Sequence, residues 1–437
     1  MQQYCRKRRR GICIFLISFV FLQLTFQNFS PMAGLYIHIP FCKSRCIYCG
    51  FYSTTRLEQR QRYVDAVCRE MSLAPALSRP SSGRLLPSDC EKDEPIRTVY
   101  LGGGTPSQLT EAQLRQLFLY INKVYGMEHV REVTMECNPD DVTPEFAETI
   151  AKFPVNRISM GVQTFSNERL RFLRRRHTAE QIPLAANLLR KAGIGNISID
   201  LMYGFPTETL DDWHRDIDAA LALNAEHLSA YCLMIEEGTP LFKLKDENEK
   251  LKTKDPRYIP IDEDTELQMY NDLIDRLTAA GYEHYEISNF AKKRREESEE
   301  WREESFRSLH NSNYWNQTPY IGLGAAAHSY NGRDYRRWNT DDLLQYIEGI
   351  ESGRPVYEEE HLDDDTRYND LLMTALRTSE GLCLIKLTAE QSAYCLQQAQ
   401  RYLDTGLLTL QGHYLRLTRK GLFVSNMVMS DLMKADE

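Results

Sequence analysis

The sequence has no excess of basic residues, which limits what the protein can bind. Its 437 residues include 53 Lys and Arg against 62 Asp and Glu, giving a formal net charge of −9. Because proteins bind nucleic acids largely through basic patches that contact the phosphates, this balance predicts no nucleic-acid partner. The rest of the composition, with 42% hydrophobic and 26% charged residues, is ordinary for a folded protein with a large core and a second domain.

Long apolar runs are also lacking, apart from one near the amino terminus. Five basic residues at 6–10 precede an apolar run at 11–26, and this order imitates a signal peptide. The run is short for a membrane span, which needs about 20 residues. Residues 1–31 are therefore interpreted as a doubtful extension before a true start at Met32, in a cytoplasmic protein. The alternative is a membrane-anchored protein that faces the cytosol.

The sequence has no second cysteine pair, although it contains 11 cysteines. Cys42, Cys46 and Cys49 stand in one short loop with C-x3-C-x2-C spacing. A structural zinc site usually takes paired cysteines and four ligands, so a zinc loop is the weaker interpretation. Three thiolates suit a 4Fe-4S cluster whose fourth iron lacks a protein ligand and can bind a small molecule. The remaining cysteines are scattered and are predicted to be reduced.

Short β-rich runs alternate with helical stretches from residue 34 to about residue 235, which predicts a parallel α/β fold. Six strands are expected, and their number fits a partial (β/α)6 TIM-type barrel. The predicted strands lie at 35–39, 97–101, 132–137, 157–162, 196–201 and 227–233. The predicted helices between them lie at 56–73, 111–124, 179–192 and 210–223.

Glycine or polar residues stand where the second to fifth predicted strands end. They are Gly103, Gly104, Thr105, Glu136, Gln163 and Asp200. Because the carboxyl ends of parallel strands meet at one mouth, these residues could hydrogen-bond a sugar and a base there. The glycine turn offers backbone groups to a ligand. Taken singly, each polar residue could instead be a helix cap or a surface residue. Arg175, one helix beyond Gln163, could pair with a carboxylate or be a solvated cation.

Five segments resemble the radical S-adenosylmethionine (SAM) superfamily, in the branch that contains oxygen-independent coproporphyrinogen III dehydrogenase. They are YIHIPFC (36–42), GGGTPS (102–107), ECNP (136–139), SMGVQTF (159–165) and IDLMYGFP (199–206). The match extends over nearly the whole chain after Met32. The resemblance implies that the cysteine loop holds a 4Fe-4S cluster with SAM on its open iron. It also implies SAM contacts from Tyr36, Gly103, Gly104, Thr105, Glu136, Gln163, Arg175 and Asp200.

One departure favours a sister family, the HemW-type heme chaperones. The dehydrogenase typically has a fourth cysteine two residues beyond the third, where this chain has Phe51. Three more segments resemble HemW-type proteins, namely YEISNFA (285–291), HNSNYW (310–315) and GLGAAAHS (322–329). His310 is then a candidate axial ligand for heme iron, with flat apolar faces from Tyr314 and Trp315 nearby. The alternative is a hydrogen-bonded core histidine.

The expected organisation has four parts. Residues 1–31 are the doubtful extension, 32–270 the radical SAM barrel, 271–339 a connecting segment with the YEISNFA and HNSNYW motifs, and 340–437 an α+β module of winged-helix type. In that module, helices at 364–376 and 389–403 precede a short hairpin. It lacks a concentrated basic face, so a packing or lid role is preferred to nucleic-acid binding. Residues 78–95 and the charged run 292–307 are predicted to be surface segments.

The resemblance implies a cytoplasmic heme chaperone that binds a 4Fe-4S cluster, SAM and heme, and passes heme to an acceptor protein. It also implies an electron donor such as a flavodoxin or ferredoxin, and association with a membrane is compatible with heme delivery. The runner-up is oxidative decarboxylation of coproporphyrinogen III, which Phe51 disfavours. A third class, a tRNA-modifying radical SAM enzyme, would need a basic appended domain.

Overall fold

A computed structural model describes residues 34–77, 95–251, 259–293 and 305–434. The doubtful extension at 1–31, nearly all of the segment 78–95 and most of the charged run 292–307 lie outside these residues. Within the described ranges, no helix combines the length and the apolar character needed to cross a bilayer.

All six predicted parallel strands are present and lie side by side in chain order. They are β1 (Gly34–Ile39), β2 (Thr98–Gly103), β3 (Glu132–Cys137), β4 (Arg157–Gln163), β5 (Asn196–Tyr203) and β6 (His227–Cys232). The connecting helices are α1 (Arg60–Leu77), α2 (Glu111–Tyr125), α3 (Pro144–Ile150), α4 (Asn167–Phe172), α5 (Gln181–Lys191) and α6 (Leu210–Ala222). The short helices α3 and α4 were not predicted, because one or two turns show no clear apolar period.

The two faces of the parallel sheet differ in polarity. On β4, Ile158, Met160 and Val162 belong to the main hydrophobic core, and they alternate with Arg157 and Ser159 on the other face. Successive side chains of a strand point to opposite faces, so β4 has one apolar and one polar side. Parallel strands covered on both faces are usually apolar throughout. The polar face is therefore the side on which a ligand site is expected.

The sheet is larger than predicted, because further strands join both of its sides. On one side are β7 (Tyr282–Glu286) and β8 (Asn289–Lys292), and on the other β9 (Tyr320–Leu323), β10 (His328–Tyr330), β11 (Tyr335–Asn339) and β12 (Tyr357–His361). Four further helices accompany them, α7 (Pro240–Leu251), α8 (Glu263–Ala279), α9 (Leu309–Trp315) and α10 (Leu343–Ser352). The predicted connecting segment 271–339 is thus part of the main sheet. Its strands have three to five residues, too few to show a clear alternation.

The carboxyl-terminal module has its own core, formed by residues such as Leu372, Leu382, Leu408, Leu415 and Val428. Its elements are α11 (Asp364–Leu376), β13 (Leu382–Cys383), α12 (Ala389–Asp404), β14 (Leu408–Gln411), β15 (Tyr414–Leu417), α13 (Arg419–Phe423) and α14 (Ser425–Leu432). The expected boundary at residue 340 is wrong, because α10 and β12 belong to the main core and main sheet. An apolar helical period does not reveal which core the helix faces.

Candidate cofactor site

The cysteine loop begins where β1 ends and is closed at its base by backbone hydrogen bonds. The amide of Cys42 donates to the carbonyl of Thr54 at 2.9 Å, and the amide of Thr54 donates to the carbonyl of Pro40 at 2.7 Å. Cys42, Cys46 and Cys49 are free thiols and are half-buried. The three predicted ligands therefore stand together at the carboxyl edge of the parallel strands.

Neighbouring side chains touch two of the three sulfurs. Cys42 Sγ lies 3.3 Å from Thr105 Oγ1, and Arg175 Nη1 donates to Cys46 Sγ at 3.6 Å. Burial raises the pKa of Cys42 and Cys49. Among the described residues, no three His, Cys, Asp or Glu side chains converge on one point as a single ion would require. A cubane takes one thiolate per iron, so this donor set is compatible with a cluster.

The loop is also tied to the turn that follows β3. Lys43 Nζ donates to Asp141 Oδ1 at 2.9 Å, and the same carboxylate accepts from Arg176 at 3.1 Å. Its other oxygen accepts from Ser107 and Gln108, at 2.8 and 2.7 Å. Asp141 is almost fully buried, so it joins the cysteine loop to two neighbouring strand ends. Sequence reasoning missed this residue, and only its place two residues after Pro139 in a strand-end turn pointed to it.

The N–H groups of the glycine turn at the end of β2 are engaged within the protein. The Gly103 N–H donates to Glu136 Oε2 at 3.0 Å, and the Gly104 N–H donates to the Ile39 carbonyl at 2.9 Å. A Cβ on Gly103 would lie 2.4 Å from the His38 ring, and one on Gly104 would lie 2.6 Å from the Pro40 carbonyl carbon. The expectation that these N–H groups face a ligand is therefore wrong. The glycines let the turn pack against β1.

Two of the predicted carboxyl groups lie on the polar face of the sheet. Glu136 accepts from the Tyr100 hydroxyl at 2.8 Å, and Ser159 Oγ donates to Asp200 Oδ1 at 3.4 Å. Burial raises the pKa of Glu136 to about 7 and that of Asp200 to about 6. Both groups therefore change charge near neutral pH, which is common for groups in a functional site.

Arg175 and Gln163 meet at the carboxyl end of β4. Arg175 Nη2 donates to Asn138 Oδ1 at 2.5 Å and to the Gly161 carbonyl at 2.6 Å, and among the described residues Arg175 forms no bidentate pair with a carboxylate. A Cβ on Gly161 would lie about equally close to the Gln163 amide and to this guanidinium, at 3.0 and 3.1 Å. Gln163 has a φ of +68°, which places its side chain at a strand irregularity. The structure thus brings Gln163, Arg175 and Cys46 into one neighbourhood.

Tyr36 lies on the same polar face, next to aromatic residues that sequence reasoning did not assign to the site. Its hydroxyl lies 3.0 Å from His38 Nδ1, and its ring is 6.1 Å from that of Tyr100. Burial lowers the pKa of His38 to about 4, so this imidazole is neutral. His38 and Tyr100 share the polar face of β1 and β2 with the predicted Tyr36, and this alternation was the signal that could have identified them.

His310 lies under the amino ends of β2 and β3. Its ring is 1% exposed, with Nδ1 2.9 Å from Thr98 Oγ1 and Nε2 2.9 Å from the Tyr314 hydroxyl. Its backbone N–H donates to Glu132 at 2.9 Å. Burial lowers the pKa of His310 to about 3, so the imidazole is neutral. This is the hydrogen-bonded core environment that the sequence left open. Heme ligation by His310 stays a prediction, and it would require breaking the Tyr314 contact.

Two family models match the chain. The radical SAM superfamily matches residues 36–220, and the HemN C-terminal domain matches residues 362–424. A heme chaperone HemW of Bacillus subtilis is 33% identical over 80% of this chain and 85% of its own length. The heme chaperone HemW of Escherichia coli is 30% identical over 91% of this chain and 97% of its own. The chain belongs to the HemW family.

Membership of the HemW family agrees with the fold and with the position of the second core. The structure is similar to that of the coproporphyrinogen III oxidase HemN of Escherichia coli, described as a radical SAM enzyme. The two share a TM-score of 0.73 and 22% identity, over 95% of this chain and 93% of that one. The chain thus has the radical SAM fold, and its superfamily implies a 4Fe-4S cluster and SAM. The match at 362–424 coincides with the module after β12.

Proposed function

We propose that this protein is a heme chaperone that holds a 4Fe-4S cluster, binds SAM and heme, and transfers heme to an acceptor protein. The observation that carries the proposal is the loop of Cys42, Cys46 and Cys49, whose sulfurs meet Thr105 and Arg175 at the mouth of the sheet. Relatives with this name span most of the chain, which supports the heme part. When bound and reduced, such a cluster supplies an electron to the sulfonium of SAM.

The side chains around the loop suit the polar parts of SAM. Glu136 and Asp200 are acceptors for the ribose hydroxyl groups and the amino group, and Gln163 offers both a donor and an acceptor. Arg175 lies where it can hold a thiolate ligand and orient Asn138. Tyr36 and Thr105 would border the ligand through ring and hydroxyl atoms. Gly103 and Gly104 would border it through backbone atoms other than their N–H groups, which are engaged within the protein. We propose these eight residues, with Arg175 among them, as the SAM site.

The heme ligand and the partners belong to the same proposal. His310 is the proposed axial ligand, reached when the helix that carries it shifts and the Tyr314 contact opens. We propose an acceptor protein for the heme, an electron donor such as a flavodoxin or ferredoxin, a cytoplasmic location with membrane association during delivery, and no nucleic-acid partner. Replacing His310 with Ala should weaken heme binding and change its spectrum. An unchanged spectrum and affinity would rule out this ligand.

The cofactor part is tested by anaerobic purification and reconstitution, followed by measurement of iron, sulfide and heme per chain. Cys49→Ser should lose the cluster and its response to SAM. Cys383→Ser, a half-buried thiol of the carboxyl-terminal module, is the matched control and should keep both. Reconstituted protein that holds zinc instead of iron would contradict the proposal. Turnover of coproporphyrinogen III with SAM and a reductant would favour the dehydrogenase instead.

A further inference from the structure

Basic residues are concentrated around the cysteine loop, although the chain as a whole is acidic. Residues 42–57 contain Lys43, Arg45 and Arg56 and no Asp or Glu, and residues 169–179 contain five arginines and no Asp or Glu. The formal net charge of the whole chain is −9. Two segments that lie far apart in the sequence therefore carry positive charge alone.

The structure brings these two segments into contact beside the predicted cluster ligands. The amide of Ile47 donates to the carbonyl of Leu173 at 3.3 Å, and Arg175 donates to Cys46 Sγ at 3.6 Å. The side chains of Ile47 and Leu173 are buried together in one small core, which fixes the cysteine loop against the segment after α4. The basic side chains of both segments thus surround the same loop.

Some of these cations are neutralised within the protein and others are not. Lys43 and Arg176 share the carboxylate of Asp141, so the two segments are also joined through a common partner. Arg45 and Arg174 are exposed, and neither forms an ion pair with a carboxylate in the described ranges. Positive charge is therefore in excess on the surface beside the loop.

An exposed aromatic ring lies next to these charges. Phe51, two residues beyond Cys49, is 72% exposed. Burial raises the pKa of the Cys49 thiol, and a hydrogen bond from the Phe51 backbone and the charge of Arg45 both act against this rise. Phe51 and Arg45 are thus both neighbours of Cys49. The side chain of Glu236 lies beside Gly50 and brings one negative charge to the border of this surface.

We propose that Lys43, Arg45, Arg174 and Arg176, with Phe51, form the docking surface for an acidic one-electron carrier protein. This rests on the proposed function, which requires an electron donor for the cluster. The carrier loses one electron and the cluster held by the loop gains it, and no bond forms or breaks. Opposite charges speed the encounter of two proteins and fix their orientation, and aromatic side chains and arginines are enriched in interfaces. A nucleic acid is disfavoured, because the patch is confined to the loop of an otherwise acidic chain.

The experiment uses an acidic flavodoxin as the probe and measures two quantities on the full-length protein. They are the affinity for oxidised flavodoxin, by calorimetry, and the rate at which reduced flavodoxin reduces the cluster-loaded protein, by absorbance. Arg45→Glu combined with Arg174→Glu should lower both by roughly tenfold at low ionic strength. In about 1 M salt the difference should disappear, because the Debye length falls to about 3 Å.

The matched control is Arg333→Glu. Arg333 is exposed and lies in the turn between β10 and β11, at the edge of the sheet opposite the cysteine loop. This variant should change neither quantity. Photoreduced deazaflavin, a neutral small molecule, should reduce the double variant as fast as the unaltered protein, which shows that the cluster is intact. Should the double variant not fold, Arg45→Gln and Arg174→Gln replace it and should each weaken binding.

The outcomes separate the docking surface from the proposed function. Equal binding and equal reduction in the double variant and the unaltered protein would show that the surface is wrong, while the donor proposal stands. If deazaflavin reduces the unaltered protein but flavodoxin neither binds nor reduces it, the surface and this donor both fail. Protein that takes up no iron contradicts the cluster, and flavodoxin binding, measured without iron, still decides the surface. Single-stranded RNA that binds through Arg45 and Arg174 in place of flavodoxin would also overturn it.

Discussion

At the residue scale, Gly103 explains why the strand after the cysteine loop must end in glycine. Its φ is +108°, a conformation that residues with a Cβ rarely adopt. A Cβ there would also enter the His38 ring, whereas Gly193 has a similar φ of +91° and open space around it. Both glycines thus have a backbone conformation that disfavours a Cβ, but only at Gly103 would a Cβ also clash with a neighbouring side chain.

Replacing Gly103 with Ala should lower the free energy of unfolding more than replacing Gly193 with Ala. Strained backbone costs about 1–2 kcal/mol in both variants. The contact with His38 should add about 1–3 kcal/mol in Gly103→Ala alone. Chemical denaturation of both variants checks this difference, and equal losses would mean that the turn moves freely away from β1.

The pH dependence of SAM binding should follow Glu136 and Asp200. Their pKa values, about 7 and about 6, lie above those of ordinary carboxyl groups, so both hold a proton at pH 5.5 and lose it as the pH rises to 8. The ionised forms accept stronger hydrogen bonds, so affinity should rise by roughly tenfold over this range. Titration of the cluster-loaded protein with SAM measures the effect. Glu136→Gln should flatten the upper part of the plot of affinity against pH. An equally steep plot in that variant would mean that Glu136 does not cause the pH dependence.

At the element scale, the cysteine loop depends on a turn that lies almost a hundred residues away in the sequence. Replacing Asp141 with Asn removes the partner of Lys43 and Arg176 and should cost about 2–4 kcal/mol. It should also reduce the iron bound per chain after reconstitution. Glu111→Gln, which breaks exposed ion pairs of Glu111 with Arg115 and Lys152, is the control and should leave the stability nearly unchanged. Full iron content in Asp141→Asn would show that the loop holds its shape alone.

The sequence was informative about elements that repeat and about residues placed at their ends. The alternation of strand and helix predicted β1 to β6, and the strand ends predicted Glu136 and Asp200. The role of Asp141 was not predicted, because it depends on hydrogen bonds to four residues that are distant along the chain. The role of Gly103 was misjudged because a missing side chain serves close packing as well as ligand access. The burial of Arg157 was not predicted, because an arginine at the start of a strand is ordinarily a surface residue.

At the scale of the whole molecule, the two cores are joined by a buried carboxylate in the YEISNFA motif. Glu286 accepts from Arg377 at 2.9 Å and from the Ser288 amide at 2.9 Å within its own turn. The backbone of Ile287 donates to the carbonyl of Arg377 at 3.1 Å. This motif therefore connects β7 to the carboxyl-terminal module, a structural role that the sequence did not reveal.

Glu286→Ala should separate the unfolding of the two cores. The change leaves Arg377 without its partner and should cost about 3 kcal/mol, mainly in the contact between the cores. Denaturation followed by hydrogen exchange, with amides of β4 and α12 as reporters, should then give two midpoints instead of one. Arg367→Ala, which removes an exposed pair inside the module, should leave the transitions coincident. A single midpoint for Glu286→Ala would mean that other contacts join the cores.

The sheet ends differently on its two sides, and this bears on self-association. Residues 377–379 run along β7 and bond to its backbone, so this border is already taken up by the chain itself. The opposite border, β12, has consecutive glutamates at 358–360. A second copy that tried to extend the sheet there would bring like charges together. Concentrated solutions should therefore show no association of two copies through this border of the sheet.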